Sequence, residues 1–202
     1  MKKKNRNKIT KYSNDFKNFN FDNNLFLEGH FESEKYFKNY KDEIKNEFRF
    51  KNLDSLKKNT YFNEINKHNS VSFCLRQNRF IEGEGKNTFQ NKQKSWKFTL
   101  EQINYINKSA DYIKSKVSNP SFFLWSNDFS NIDKNKFNFN CEEIKFYENE
   151  NTLDKRIQSL FLLTQCNHFI VTTSAFNWWG AWLSQKKNKI ILRPANSFFS
   201  EY

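Results

Sequence analysis

From residue 70 onward, apolar positions alternate between two rhythms. Short unbroken runs at 71–76, 121–125, 168–172 and 189–193, with a lesser one at 143–147, read as buried strands. Between them, apolar residues recur at three- and four-residue intervals, which gathers them on one face of a helix. Leu100, Ile103, Ile106, Ala110, Ile113 and Val117 predict a helix over 99–117, with Thr99 as N-cap and Gln102 at the third position of a capping box. Ile157, Leu160, Phe161 and Leu163 predict a second helix over 153–165, and 176–186 carries a third. Upstream the rhythm weakens. Tyr36, Phe37, Tyr40, Ile44 and Phe48 come close to helical spacing over 33–49, whereas 53–66 fits no single element. Residues 1–24, rich in Lys and Asn, predict a poorly packed start.

Strands separated by helical stretches predict right-handed βαβ units and an α/β fold with a doubly wound parallel sheet over 70–202. In such sheets the ligand lies beyond the carboxyl ends of the strands. Three polar clusters fall at those ends: Arg76, then Ser126-Asn127-Asp128, then Thr173-Ser174. The last leads into a helix, so Ser174 and the backbone N–H groups of Ala175, Phe176 and Asn177 form a candidate phosphate cradle. Each residue has a plainer reading as well. Arg76 suits a strand-end ion pair, Asn127 or Asp128 an Asx-turn, and Ser174 the cap of a core helix. Trp178, Trp179 and Trp182 read as packing residues.

The string Thr173-Ser174-Ala175-Phe176-Asn177-Trp178-Trp179-Gly180-Ala181-Trp182-Leu183 resembles a segment of the α-1,2-fucosyltransferase family, in which a hydroxyl cluster runs into Phe-Ser-Trp-Trp-Gly-Ala-Trp-Leu. Leu27 to Phe37 is similar to the family's Gly-Tyr-Phe-Gln-Ser-Glu-Lys-Tyr-Phe box, with His30 and Glu32 as departures. Phe122 to Asp128 resembles its strand ending in Ser-Asp-Asp or Ser-Asn-Asp. Val71 to Phe80 occupies the place of its His-x-Arg-Arg-Gly-Asp-Tyr motif. There Arg76 keeps the first Arg, while Cys74, Gln77, Asn78 and Arg79 replace the His, second Arg, Gly and Asp. The family's glycine-rich opening box has no counterpart, since the only glycines are Gly29, Gly83, Gly85 and Gly180.

The resemblance implies a GT-B-like architecture, with 25–69 as part of an acceptor-side half-domain and 70–202 as the Rossmann-like donor domain. It further implies transfer of fucose or a related sugar from GDP-fucose to a galactoside hydroxyl on a surface glycan, with inversion at the anomeric carbon and no metal or other cofactor. Arg76 would meet the donor pyrophosphate, and Asn127 or Asp128 the guanine edge. Negative charge develops on the departing β-phosphate, and a guanidinium fork can meet two of its oxygens at once. The replaced Asp leaves the general base unassigned; Glu34, Glu82 and Glu84 are merely nearby carboxylates. A donor-binding piece without turnover is the alternative within the same fold.

Composition narrows the remaining classes. The 202 residues are 37% apolar, with 24 Phe, enough for one core of ordinary size. No apolar run reaches the ~20 residues of a membrane span, which leaves peripheral contact with the inner face of a membrane open. Cys74, Cys141 and Cys166 lack paired spacing, which favours free thiols in a reducing cytoplasm. The sequence contains no Asp-x-Asp element, and His30, His68 and His168 are far apart, so no metal site is predicted. The net charge of +12 raises a nucleic-acid reading, but the lysines are scattered, and Lys, Asn, Phe and Ile are enriched together as A/T-rich coding would do. A solvated basic surface is the favoured reading.

Overall fold

The computed structural model describes residues 33–144 and 153–195. The lesser strand predicted at 143–147, most of the 27–37 segment and all of 1–24 lie wholly or partly outside them. The chain divides into two compact units, Met1–Arg49 and Phe50–Tyr202. In the first, 3₁₀ turns at Glu34–Tyr36 and Lys38–Tyr40 precede helix α1 (Lys41–Glu47). The helical spacing over 33–49 is thus realised in three short pieces, because Phe37 and Tyr40 leave the helical conformation.

The second unit opens with α2 (Leu53–Lys57) and α3 (Thr60–Lys67). Asn59 caps α3, its side chain accepting from Tyr61 N at 2.9 Å. Leu56 and Ile65 bury in the same cluster as Phe161 and Phe169. The compact unit starts at Phe50.

The remaining elements are β1 (Asn69–Leu75), α4 (Phe89–Lys114), β2 (Pro120–Ser126), β3 (Cys141–Glu143), α5 (Leu153–Gln165), β4 (His168–Ile170), α6 (Ala175–Leu183) and β5 (Ile191–Leu192). All strand pairs are parallel, in the order β3-β2-β1-β4-β5. The chain walks outward from β1 to β3, then returns to the other side of β1. That reversal places a switch point between β1 and β4, where open α/β sheets bind ligands.

β1 is central and buried in six of its seven positions. Its alternation feeds two cores. Val71, Phe73 and Leu75 join Ile103, Ile106 and Ile113 of α4. On the other face Cys74 joins Leu162, Leu163 and Cys166 of the α5 region, together with Ala181 of α6. Cys74 and Cys166 are free thiols whose pKa burial pushes well up, so they are inert core residues.

The helix predicted over 99–117 begins ten residues earlier, at Phe89. Thr88 is its cap, Oγ1 accepting from Asn91 N at 3.2 Å. The sequence signal failed because Phe89 and Trp96 are 71% and 62% exposed, so the first turns carry no apolar face toward the sheet. Thr99 lies inside the helix and donates to Ser95 O at 3.0 Å instead of capping it. Helix α6 stops at Leu183, where Ser184 turns to extended backbone (ψ 132°), and Lys189 Nζ donates to the carbonyls of Ala181 (2.8 Å) and Ser184 (2.7 Å). All four non-glycine residues at positive φ among the described residues are asparagines: Asn52, Asn78, Asn119 and Asn188.

Candidate active site at the sheet switch point

Continuing the strand registers past their last pairs sets Arg76 level with Asn127 on one side and with Thr173 on the other. The three polar clusters legible in the sequence therefore share one edge of the sheet. Arg76 is held there by its backbone. Its N–H donates to Gln102 Oε1 at 3.2 Å, and its carbonyl accepts from Gln102 Nε2 at 2.8 Å. Gln102, fully buried on α4, serves as a substitute strand partner. The side chain of Arg76 is partly exposed and pairs with Glu82 through Nη2, so the strand-end ion pair exists.

The next three residues face different ways. Gln77 turns inward, only 6% exposed, and its Nε2 donates to Asp128 O at 2.7 Å. Asn78 adopts the left-handed region (φ 58°), which Asn tolerates better than most residues, and its Nδ2 donates to Asp128 Oδ2 at 3.0 Å. Arg79 is exposed and crosses the switch point: Nη1 donates to Thr173 O at 3.3 Å, and its guanidinium lies 5.3 Å from the Phe98 ring centroid.

The β2 end is already engaged in holding this loop. Asn127 Oδ1 accepts from Gln77 N at 2.8 Å, and its Nδ2 donates to Gln77 O at 3.2 Å. Ser126 Oγ lies 2.9 Å from Leu75 O and 2.7 Å from Asp128 O. Asp128 accepts from Ser130 Oγ at 2.5 Å and Ser130 N at 2.9 Å. Those bonds, Ser130 Oγ first, hold the Asp128 carboxyl below its usual range and keep it charged.

The β4 end has open capacity. Thr172 Oγ1 donates to Cys74 O at 2.9 Å, fastening the two central strands beyond their paired residues. Ser174 caps α6, its Oγ accepting from Asn177 N at 3.4 Å. Ala175 and Phe176, the first two residues of α6, are exposed, and N–H groups there have no partner within the helix. Asn177 is fully buried; its Oδ1 accepts from Thr172 N at 2.9 Å, while its Nδ2 and Thr173 Oγ1 have no partner among the described residues. Trp178, Trp179 and Trp182 pack on one another, with centroids 5.0 to 6.2 Å apart, as the packing reading expects.

The sequence reading cast Gln102 as part of a capping box at Thr99 and Arg79 as a motif replacement, and placed neither in the site. The mid-helix position of Thr99 rules out that box. Gln102 did carry a signal, since it is a polar residue beside Ile103 on the apolar face of a helix. Arg79 carried none, because its partner Thr173 lies 94 positions away. What the edge offers chemically is two guanidinium groups and a helix N-terminus at neighbouring strand ends, a setting for an anion. Among the described residues no group of three or more His, Cys, Asp or Glu could hold a metal ion, and no helix is long and apolar enough to cross a membrane.

An alpha-1,2-colitosyltransferase from Escherichia coli is 26% identical over 176 residues, covering 86% of this chain and 56% of its own length. The O-antigen biosynthesis glycosyltransferase WbnK of the same organism is 25% identical over 99 residues, covering 48% of this chain and 31% of its own. The galactoside alpha-(1,2)-fucosyltransferase 2 of Mus musculus is 31% identical over 91 residues, covering 45% and 26%. The chain thus spans about half the length, or less, of these curated relatives. No solved structure matches. Residues 1–201 match the family described as Glycosyl transferase family 11, and the chain belongs to that family of glycosyltransferases.

Proposed function

We propose that this chain carries the donor-binding half of a transferase that moves fucose, or the colitose named for its bacterial relative, from a GDP-sugar to a galactoside hydroxyl. The observation that supports it most is the level placement of Arg76 and Thr173 across the β1/β4 switch point. The diphosphate lies across these two strand ends. The α6 N-terminus and Ser174 hold one part of it, and Arg76 leaves Glu82 to meet the β-phosphate as negative charge grows there. Arg79 supplies a second cation from the same loop, in place of the inward-turned Gln77.

The sugar's anomeric carbon gains positive charge as the diphosphate departs, and the acceptor hydroxyl attacks from the opposite face, releasing its proton to water and inverting the centre. The two arginines and the helix terminus stabilise the leaving charge without a metal ion. Asp128 stays ionised, and the lone pairs left over from Asn78 and Ser130 accept hydrogen bonds from the guanine edge. The name of the O-antigen relative supports a place of action on surface-glycan precursors.

The test is titration with GDP and with UDP, followed by tryptophan fluorescence, which the three indoles of α6 report. Saturable GDP binding that Arg76→Ala weakens at least tenfold supports the reading. Equal binding of UDP removes the guanosine assignment, and absence of binding to either overturns the donor site. Incubation with GDP-fucose and lactose then separates turnover from binding alone.

A further inference from the structure

Helix α4 has 26 residues and is about 39 Å long, against about 23 Å for the seven-residue β1 it covers. Its first turns therefore overhang the carboxyl edge of the sheet. Between this overhang and the loop after β2 lies a cavity of about 280 Å³. Leu75, Ile103 and Ile132 are among its apolar lining residues. Asn78, Asp133 and Lys136 are among the polar residues around it, and Trp96 forms part of its wall.

Trp96 is 62% exposed, although it lines a cavity. A large exposed indole is a poor choice for a solvated helix face, where Lys or Glu would serve better. The surrounding groups give it a use. The carbon-bound hydrogens on one face of a pyranose lie flat on an aromatic ring, while its hydroxyls exchange hydrogen bonds with amides, a carboxylate and an ammonium. An apolar lining with a few placed polar groups is the usual make-up of a small-molecule site. The volume falls just short of the roughly 300 Å³ at which sites for drug-sized ligands begin, which suits a single sugar ring better than a whole nucleotide sugar.

The position fits as well. Gln77 and Asn78 line the cavity and directly follow Arg76, so it opens beside the same strand end as the proposed donor site. It lies on the α4 side of the sheet, whereas α6 packs on the opposite face.

We infer that this cavity is a pyranoside subsite in which Trp96 is the stacking platform for the acceptor sugar. The inference rests on the glycosyltransferase reading for the identity of the sugar. Its ligand is neutral, so it is distinct from the proposed anion site.

Saturation-transfer NMR with methyl β-galactoside on the purified chain tests it, alongside GDP titrations of the same samples. Transfer to the sugar ring protons is expected, with affinity at least tenfold weaker in Trp96→Ala and largely retained in Trp96→Phe. GDP affinity should be unchanged in both variants. Because Trp96 is exposed, both should fold, which circular dichroism checks. Sugar binding indifferent to Trp96→Ala, or no sugar binding, overturns the subsite. Loss of GDP binding in Trp96→Ala overturns it too, since the cavity would then hold the base. Galactoside binding through Trp96 without any GDP binding leaves the subsite standing while the donor reading falls. The converse result removes the subsite and leaves the donor reading intact.

Discussion

Asn127 and Gln77 hold each other by two hydrogen bonds, Gln77 N to Asn127 Oδ1 at 2.8 Å and Asn127 Nδ2 to Gln77 O at 3.2 Å. A side-chain amide thus replaces a strand residue and extends the β1–β2 ladder one step beyond Leu75 and Ser126. Asn127 therefore serves the backbone with both ends of its amide. Gln102 does the same for Arg76 from the side of α4. The loop carrying both arginines is pre-organised by two amides before any ligand arrives, so little ordering has to accompany binding.

Asn127→Ala should lower stability by about 1–3 kcal/mol, because it leaves the nearly buried Gln77 N–H unpaired. Asn127→Asp keeps the acceptor and should lose less. Denaturant midpoints measure both, and an unchanged midpoint in the alanine variant would show that the clasp contributes nothing.

Gln102→Met preserves shape but frees both backbone groups of Arg76. We expect GDP affinity to fall roughly tenfold, ~1.4 kcal/mol, at a temperature where circular dichroism still shows an intact fold. Affinity equal to that of the unaltered chain would mean that Arg76 finds its place without this support.

These two amides mark the limit of what the sequence discloses. Strand β1, the α5 helix and the strand-to-helix passage at Thr173-Ser174 were legible because burial on one or both faces imposes a period on the apolar residues. The start of α4 was not, since Phe89 and Trp96 break the period by pointing to solvent. In the site, residue types at strand ends were readable, and so was the edge they share. Their mutual bonds were not. Gln102 to Arg76 spans 26 positions and Arg79 to Thr173 spans 94, and no local pattern encodes such pairings.

Gly180 is fixed by packing, not by backbone conformation. A Cβ at this position would come within 2.6 Å of Leu163 Cγ and closer still to Cδ2, where α6 crosses α5. Gly180→Ala should therefore destabilise the fold by about 1–3 kcal/mol despite the better helix propensity of alanine. Leu163→Val in the same chain should recover part of the loss, and a strictly additive double variant would refute the contact.

His168 gives the stability a pH dependence. Burial lowers its pKa from the ordinary 6.5, and its Nδ1 accepts from Ile190 N at 3.1 Å, a bond that only an unprotonated Nδ1 can accept. The unfolded chain thus takes up its proton at a higher pH than the folded one does. Stability should be fully present above pH 6.5 and decline as the pH falls through the lowered value. Thermal midpoints across that range should show the decline in the unaltered chain, and His168→Asn should flatten it. Parallel profiles for the two would assign the decline to other groups.

The asparagines at positive φ bear on how loop order is achieved. Only four glycines occur in the whole sequence, yet the loop after β1 needs the left-handed region at Asn78. A glycine there would roam widely in the unfolded chain and surrender that freedom on folding. Asparagine enters the same conformation from a narrower unfolded ensemble, so the loop that presents Arg76 and Arg79 is ordered at a smaller entropic loss.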